Sequence, residues 1–359
     1  MADLAAPHLR VRMSSARMAW LAALALLPAA AWGLLLFGPP AAAVLAVSIA
    51  AAAASELAVT LPRHGYTLND GSAFFTGTLV ALMMPPAVPL YVPAVASAFG
   101  ILVIKQTFGG LGRNWMNPAM GGVVFSLLSW PGLMSQWVAP LASGSTGAEV
   151  PPLEALRAAL AAPGMKDSTP LGILGRAGYP FSPLDATAVG WVNTHVLAPL
   201  GAALPQGSLD VLVGHVAGSI GGTCVPLLVA GAALLLARGV VRWHLPVFYL
   251  GTFAVLALVF GGLGTAQGWF AGGPVFHLLS GNLVLAAFFA APDPVTSPLT
   301  DAGRCALGVI LGVLTFLLRF FGSLADGAAA AILLGNCVSP LLDRWLEQRK
   351  SRRMEGEAA

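Results

Sequence analysis

Polar residues suited to ligand binding are concentrated in one glycine-rich turn, residues 108–119, between two apolar segments. Its glycines allow the backbone to approach a ligand closely. Asn114 and Asn117 offer paired donors and acceptors for the polar edge of a heterocyclic ring, and Trp115 offers an aromatic face. The alternative is that both asparagines satisfy carbonyl groups of a broken helix while Trp115 anchors the chain at the membrane interface.

Acidic residues inside or beside apolar segments form a second candidate group, because a carboxylate there costs much free energy to bury and is often functional. Glu56 lies inside an apolar run and Asp293 lies at the edge of another, and we predict that both belong to an ion path. Asp70, Asp301 and Asp326 lie at other segment edges. The alternative for the edge acids is helix N-capping with ordinary solvation.

Cysteine and histidine spacing gives no sign of a metal centre. Cys224, Cys305 and Cys337 form no CxxC pair, and the histidines show no ligand spacing. The glycine-rich residues 214–223 lie within an apolar run, so we interpret them as a helix-packing face rather than a phosphate loop.

The elements that must position these residues are membrane helices. The chain is 57% hydrophobic and 9% charged, whereas soluble domains carry roughly 25% charged residues. Its apolar blocks approach the ~20 residues that cross a bilayer. They are continuously apolar rather than alternating, which favours membrane helices over a β-barrel. The first block is interpreted as a retained helix, because a second follows directly. The ten predicted spans are 18–37, 41–61, 73–90, 92–104, 120–138, 211–237, 245–263, 276–291, 306–320 and 325–342.

Basic residues are distributed unequally between the two sides of this topology. Ten spans put both termini on one side, which carries 14 of the 18 lysines and arginines and is therefore assigned to the cytoplasm. The other four are Arg157, Lys166, Arg176 and Arg319. The long loop at 139–208 is then external, and only residues 153–160 of it look helical. The basic residues serve as topological anchors, so the net charge of +3 implies no nucleic-acid partner.

The two halves of the chain show a weak internal duplication. The run TGTLVAL at 76–82 matches SGNLVLA at 280–286, and FGGL at 108–111 matches FGSL at 321–324. Repeats of five spans each would have opposite orientations, and such inverted repeats build sites near the bilayer midplane. The predicted division is a cytoplasmic segment at 1–17, a first membrane repeat at 18–138, an external loop at 139–208, a second membrane repeat at 209–343 and a cytoplasmic tail at 344–359.

Five short segments together form a family pattern. They are DGSAFFTG at 70–77, KQTFGGLGRNWMNPAM at 105–120, RWHLPV at 242–247, HLLSG at 277–281 and DPVTSP at 293–298. Their order and spacing resemble the family that contains the D subunit of the Rnf electron-transport complex and the B subunit of the sodium-pumping NADH:quinone oxidoreductase. The resemblance covers nearly the whole chain, and only the external loop departs from it.

The resemblance implies an all-α polytopic protein of the bacterial inner membrane, with two inverted five-helix repeats in a urea-transporter-like fold. It implies a subunit of a complex that passes electrons between ferredoxin and NAD and moves Na⁺ or H⁺ across the membrane. The oxidoreductase activity would belong to the assembly. The expected partners are membrane lipid and the other membrane and peripheral subunits, including a second subunit that carries FMN.

The resemblance also implies two flavins. FMN would be joined through its phosphate to a threonine on the external side by a flavin transferase, and riboflavin would bind without a covalent bond. Thr169, followed by Pro-Leu, matches the tether motif; Thr146 and the absence of any covalent flavin are the alternatives. Asn114 and Asn117, with Trp115, are the expected riboflavin ligands.

Two other functions remain open from the sequence. A channel or solute transporter with the urea-transporter-like fold would share the repeat without needing a flavin. An assembly scaffold would leave the activity of the complex unchanged when both flavins are lost. Covalent flavin on the loop threonine distinguishes a flavin-carrying subunit from a transporter and from a scaffold.

Overall fold

Helices make up all of the regular secondary structure in the described part of the chain, which confirms the all-α prediction. The computed structural model describes residues 13–63, 66–137, 183–200, 204, 207–262, 269–270, 272–322 and 326–358. Three described helices are long and apolar enough to cross a membrane without interruption: Ser15–Phe37, Pro39–Thr60 and Asp301–Phe320. The chain is a multi-pass membrane protein.

Fourteen α-helices are present in the described residues. They are α1 (Ser15–Phe37), α2 (Pro39–Thr60), α3 (Ser72–Leu82), α4 (Tyr91–Phe99), α5 (Pro118–Ser129), α6 (Pro131–Met134), α7 (Pro183–Val192), α8 (Ser208–Val213), α9 (Val225–Ala237), α10 (His244–Phe260), α11 (Pro274–Leu279), α12 (Leu283–Leu285), α13 (Asp301–Phe320) and α14 (Ala328–Ala358). Helix α4 continues as a π-helix through Gly100–Gln106, and α12 continues as one through Ala286–Ala290.

The predicted span at 73–90 is not one continuous helix, so that prediction was wrong. Helix α3 ends at Leu82, and Pro85, Pro86 and Pro89 follow. Proline lacks the N–H that a helix needs and restricts the residue before it. With 11 residues, α3 is about 16 Å long, roughly half of the ~30 Å hydrocarbon core.

The predicted spans at 211–237 and 276–291 are also interrupted. The first contains the non-helical segment 214–224 between α8 and α9. The second is broken between α11 and α12 at Gly281, whose φ of 74° is a left-handed conformation that glycine adopts without strain. The glycines at 214–223 therefore do not lie on a helix face, although several of them do pack closely.

The external loop was predicted to contain a helix only at 153–160, which lies outside the described residues. The structure adds α7, which continues as a π-helix through Asn193–Leu197. Asp185 stabilises the return of the chain from this helix, because its carboxylate accepts the backbone N–H groups of Gly207 (2.5 Å) and Leu209 (2.7 Å). The sequence analysis missed this element because its hydrophobic residues follow no clear helical period.

Helices from the two halves pack directly on each other. Helix α1 packs on α9, and α5 packs on α14, while α10 and α13 form the closest pair within the second half. Most buried apolar residues belong to one contiguous cluster that includes Leu26, Met84, Tyr249 and Leu285. The interrupted helices α3 and α12 thus lie inside a single core.

Candidate functional site

Glycines shape the turn that carries the two predicted asparagines. Gly109, Gly110 and Gly112 have φ values of 108°, 95° and 87°, in the region that side chains with a Cβ rarely adopt. They allow the chain to reverse between the π-helical end of α4 and the start of α5. The turn places Asn114 and Asn117 on the wall of one cavity.

Asn117 holds two helices together. Its Oδ1 accepts the N–H groups of Ala119 (3.0 Å) and Met120 (3.2 Å) and so caps α5. Its Nδ2 donates to the carbonyl of Ala290 (3.1 Å), at the end of the π-helix that extends α12. Its backbone N–H donates to the side-chain oxygen of Asn336 (2.9 Å). In this orientation of the Asn336 amide, the amide nitrogen also has a partner, the carbonyl of Ile332 (3.2 Å). The side chain of Asn117 is therefore engaged within the protein.

Asn114 and Trp115 differ in their relation to the cavity. Asn114 is buried and donates from Nδ2 to the carbonyl of Met116 (3.1 Å). Its Oδ1 makes no hydrogen bond to the described residues and can accept one from a ligand. Trp115 is half exposed, contacts Phe108 edge-on with ring centroids 5.9 Å apart, and is not among the described residues of the cavity wall.

The asparagine cavity, as we name the space lined by Asn114 and Asn117, has a volume of about 130 Å³. It lies between the first turns of α3, which contribute Phe75 to the wall, and the π-helix after α12, which contributes Phe288. Its wall is mostly apolar. The charged side chains on the wall, among the described residues, are Lys105 and Asp293.

Lys105 is held in place by a buried network. It is 2% exposed, and its Nζ donates to both carboxylate oxygens of Glu56 (2.8 and 2.7 Å) and to Ser72 Oγ (2.5 Å). Glu56, fully buried, also accepts from the hydroxyl of Thr67 (2.6 Å). Asp70 accepts the N–H and hydroxyl of Ser72, which is the helix-start role that the alternative interpretation of this acid predicted.

Asp293 is an acid without a basic partner among the described residues. It lies in the turn before α13, outside the membrane-crossing helices, and its Oδ1 accepts the N–H of Val295 (3.1 Å). Removal from water raises the pKa of Asp293 to about 6, against the smaller lowering effect of that hydrogen bond. This carboxyl can therefore exchange a proton near neutral pH.

A second buried ion pair joins Arg319, near the end of α13, to Asp326, just before α14. Arg319 is 2% exposed and also donates to the carbonyls of His277 (2.6 Å) and Asp326 (3.2 Å). The Asp326 carboxylate accepts the N–H of Asn282 (2.9 Å). The pair fixes the turn that interrupts the predicted span at 276–291.

The sequence analysis counted Lys105 and Arg319 among the residues that report topology, and for these two that use was wrong. Both are buried and paired with acids, so they carry no information about the side of the membrane. The available signal was their position: each is a single cation within an apolar run, ILVIKQ and FLLRFF, where an unpaired charge is costly.

A second cavity, of about 40 Å³, has Gly222 on its wall. The neighbouring Gly221 donates from its N–H to the carbonyl of Leu82, at the other end of α3 (2.8 Å). The cavity wall also includes Ser219 and Thr223 of the unwound segment and Ser280 before α12. Trp137 and Val211 complete part of the wall. Thr169 and Thr146, the predicted flavin-bearing residues, lie outside the described residues.

Comparison with known proteins assigns relatives to nearly the whole chain. The family model described as NQR2, RnfD, RnfE matches residues 4–352. The chain is 37% identical over 347 residues to the D subunit of the proton-translocating ferredoxin:NAD(+) oxidoreductase complex of Clostridium ljungdahlii, covering 96% of this chain and 94% of the relative. It is 37% identical over 345 residues to the D subunit of the ion-translocating oxidoreductase complex of Stutzerimonas stutzeri (94% and 92% covered). It is 32% identical over 346 residues to the D subunit of the Na(+)-translocating ferredoxin:NAD(+) oxidoreductase complex of Acetobacterium woodii (96% and 92% covered).

Proposed function

Since the chain belongs to the NQR2, RnfD, RnfE family, we propose that it is the flavin-carrying membrane subunit of an Rnf-type ion-translocating oxidoreductase complex. Its relatives are named as D subunits of such complexes along nearly their whole length. Electrons between ferredoxin and NAD would reach this chain through other subunits, including a second one that carries FMN. The oxidoreductase activity then belongs to the assembled complex.

The observation that carries the flavin proposal is the asparagine cavity. An isoalloxazine ring is flat and apolar on both faces, with donors and acceptors along one edge. The cavity fits that chemistry, because its apolar wall includes Phe75 and Phe288 while Asn114 Oδ1 is available as an acceptor. We assign Asn114 to hold riboflavin directly and Asn117 to fix the helix ends around it. Trp115 is a less suitable ligand because it lies off the described wall.

A flavin bound there would supply single-electron transfer. Lys105 would place a fixed positive charge at the wall, oriented by Glu56 and Ser72. Asp293 would hold or release a proton beside it. Of the two acids predicted for an ion path, Asp293 is therefore the one we retain for exchange with the solvent side, while Glu56 serves to fix Lys105.

The second flavin, FMN, is proposed to be linked covalently to Thr169 by a flavin transferase. The support is the Thr-Pro-Leu match in the loop. The ends of that loop also lead to the second cavity, since Trp137 and Val211 lie on its wall. The asparagine cavity adjoins the start of α3. Gly222 lies on the wall of the second cavity, and its neighbour Gly221 bonds to the carbonyl of Leu82 at the end of α3. These ends are about 16 Å of helix apart, and electrons would cross the core along this helix.

We further propose that the two halves are inverted repeats of a urea-transporter-like fold, with both termini cytoplasmic and residues 139–208 periplasmic in the bacterial inner membrane. Two observations support this arrangement. Each half contains a short interrupted helix, α3 or α12 with its π-helical extension, and the start of one meets the end of the other at the asparagine cavity. The side of the membrane on which the long loop and the chain ends lie can be tested with periplasmic and cytoplasmic reporter fusions.

The test of the flavin tether is fluorescence of the full-length chain on a denaturing gel after co-expression with a flavin transferase. We expect a fluorescent band that is lost in Thr169→Val and kept in Thr146→Val, with an FMN adduct on the loop peptide by mass spectrometry. Non-covalent riboflavin is measured separately in the supernatant of the denatured protein. A chain that carries neither flavin would contradict the proposal and favour a transporter or a scaffold.

A further inference from the structure

Two long helices begin side by side at one end of the molecule. Helix α10 begins at His244 and α13 begins at Asp301, and the two pack on each other along their length. Gly308 and Gly312 of α13 permit this packing, because a Cβ at either position would lie less than 3 Å from atoms of α10. The first residues of both helices therefore lie together at the same side of the membrane.

One carboxylate holds two arginines at this end. Arg242 donates from Nη1 to both carboxylate oxygens of Asp301 (2.9 and 3.2 Å), and Arg304 donates from Nη1 to Oδ1 (2.7 Å). The Nε and Nη2 groups of both arginines make no hydrogen bond to the described residues. Asp301 thus orients two guanidinium groups and leaves most of their N–H donors unused by the described chain.

The charges at this end favour an anionic ligand. Arg242 is 60% exposed, and the single carboxylate of Asp301 offsets only one of the two arginines that it holds. The acid that lies next to them, Asp343 of α14, accepts the backbone N–H of Leu299 (3.2 Å), and the exposed Arg344 follows it. Guanidinium groups form paired hydrogen bonds with phosphate oxygens, so phosphate is the anion that these donors fit.

An exposed apolar stripe leads away from the arginines along one face of α10. Its side chains, which are half exposed, belong to Trp243, Val247, Val255 and Leu258. Gly251 lies between them, and a Cβ at this position would meet no atom within 4 Å, so the stripe contains a shallow groove. From Val247 to Leu258 the stripe is about 16 Å long, which is about half of the ~30 Å hydrocarbon core. It therefore has the length of one leaflet.

We propose that the start of α10 binds one anionic phospholipid, with its phosphate on Arg242 and Arg304 and an acyl chain along the groove at Gly251. Trp243 would lie at the level of the headgroup, where aromatic side chains are enriched in membrane proteins. A soluble phosphate would use the arginines without the stripe, and a helix of another subunit would cover the stripe without using the free donors. The site is separate from both cavities and does not depend on a flavin.

Native mass spectrometry of the purified full-length chain in detergent, titrated with dioleoylphosphatidylglycerol, tests the site directly. We expect one lipid per chain to be retained at concentrations at which dioleoylphosphatidylcholine is not, because the choline group brings a positive charge to the arginines. Inorganic phosphate should not displace the lipid, since it lacks the acyl chains. Arg242→Gln should weaken binding by about tenfold, because it removes charge-assisted hydrogen bonds to the phosphate. Gly251→Phe should weaken it as well, by filling the groove.

The matched control is Arg238→Gln, which removes the same charge from an exposed arginine four residues earlier that forms no ion pair with the described residues. It should bind the lipid within about twofold of the wild type. Equal losses in Arg238→Gln and Arg242→Gln would reduce the effect to general charge attraction and overturn the proposal. Equal retention of the two lipids, displacement by inorganic phosphate, or unchanged binding in Gly251→Phe would overturn it as well. Flavin content is measured on the same samples, and its loss alone leaves this proposal standing.

Discussion

The two buried ion pairs differ in what they hold. Lys105 and Glu56 are 49 residues apart and join α2 to the π-helix that follows α4, with Lys105 on a cavity wall. Arg319 and Asp326 are seven residues apart and fix a turn between α13 and α14. Arg319 makes no contribution to either described cavity wall, and its guanidinium lies over the Phe253 ring at 5.2 Å.

The difference indicates that a buried cation near the end of a helix can have either of two roles, to stabilise the fold or to place a charge at a ligand site. The Arg319 pair builds the scaffold, since its bonds go to backbone carbonyls and to the carboxylate that holds Asn282. The Lys105 pair presents a charge to a space large enough for a ligand. Loss of the Arg319 pair should therefore mainly lower stability, whereas loss of the Lys105 pair should also change the chemistry of a bound ligand.

The largest effect is expected for Arg319→Met. The change leaves Asp326 buried without its cation and removes the donor to His277, and loss of one partner of a buried pair costs about 3–5 kcal/mol. We expect a large fall in the thermal unfolding temperature and poor accumulation in membranes. Arg319→Met combined with Asp326→Asn should recover part of the loss, because the amide oxygen can still accept from Asn282. No recovery in the double variant would contradict the ion-pair explanation.

Lys105→Met should be destabilising by roughly 2–3 kcal/mol, less than the Arg319 change, because Glu56 keeps its hydrogen bond from Thr67 and the cavity admits water. Adding Glu56→Gln should restore most of the stability by removing the unpaired charge. The double variant should nevertheless bind riboflavin with an altered reduction potential, since the charge at the cavity wall is gone. Potentiometric titration and thermal unfolding on the same samples separate the two effects. An unchanged potential would assign Lys105 to the scaffold alone.

The sequence was sufficient for the elements whose apolar runs are long, and insufficient where the chain breaks. The spans that became α1, α2 and α13 follow from hydropathy alone. The prolines after Leu82 could have marked the end of α3, but the contact that Gly221 makes with the Leu82 carbonyl there is tertiary, and no local pattern reveals it. Asn114 and Asn117 were predicted from their glycine-rich turn between two apolar segments and from the family resemblance, and the structure places both on one cavity wall. Lys105 was misassigned because hydropathy does not show that Glu56 lies beside it.

Asn117→Ala should affect stability and Asn114→Ala should affect binding, which extends the same contrast to two residues of one turn. The Asn117 side chain caps α5 and donates to Ala290, so its loss should cost about 1–2 kcal/mol. Asn114 makes one local bond, to Met116, and its loss should change the unfolding temperature little while lowering riboflavin affinity about tenfold. Flavin retention after gel filtration and thermal unfolding measure the two. The reverse pattern would contradict the assignment of roles.

The smallest effect concerns Asp293, the acid that has no basic partner in the described part of the chain. Its folded-state pKa of about 6 lies above the unfolded value of about 4, so the folded protein binds this proton more tightly. Its stability contribution is then complete below pH ~4 and is lost as the pH rises through ~6. Asp293→Asn keeps an acceptor for Val295 and has no such loss. The two proteins should unfold at similar temperatures at low pH, and the variant should unfold at the higher temperature at neutral pH.

Asp301 provides the control of opposite sign. Its carboxylate accepts hydrogen bonds from Arg304 (2.7 Å) and Arg242 (2.9 Å), and these bonds stabilise the charged form. Its contribution is therefore present at neutral pH and is lost as the pH falls. Because Asp301 is 46% exposed, solvent screening keeps the effect small. If Asp293→Asn and Asp301→Asn shifted the pH profile in the same direction, the contrast between an acid with basic partners and one without them would fail.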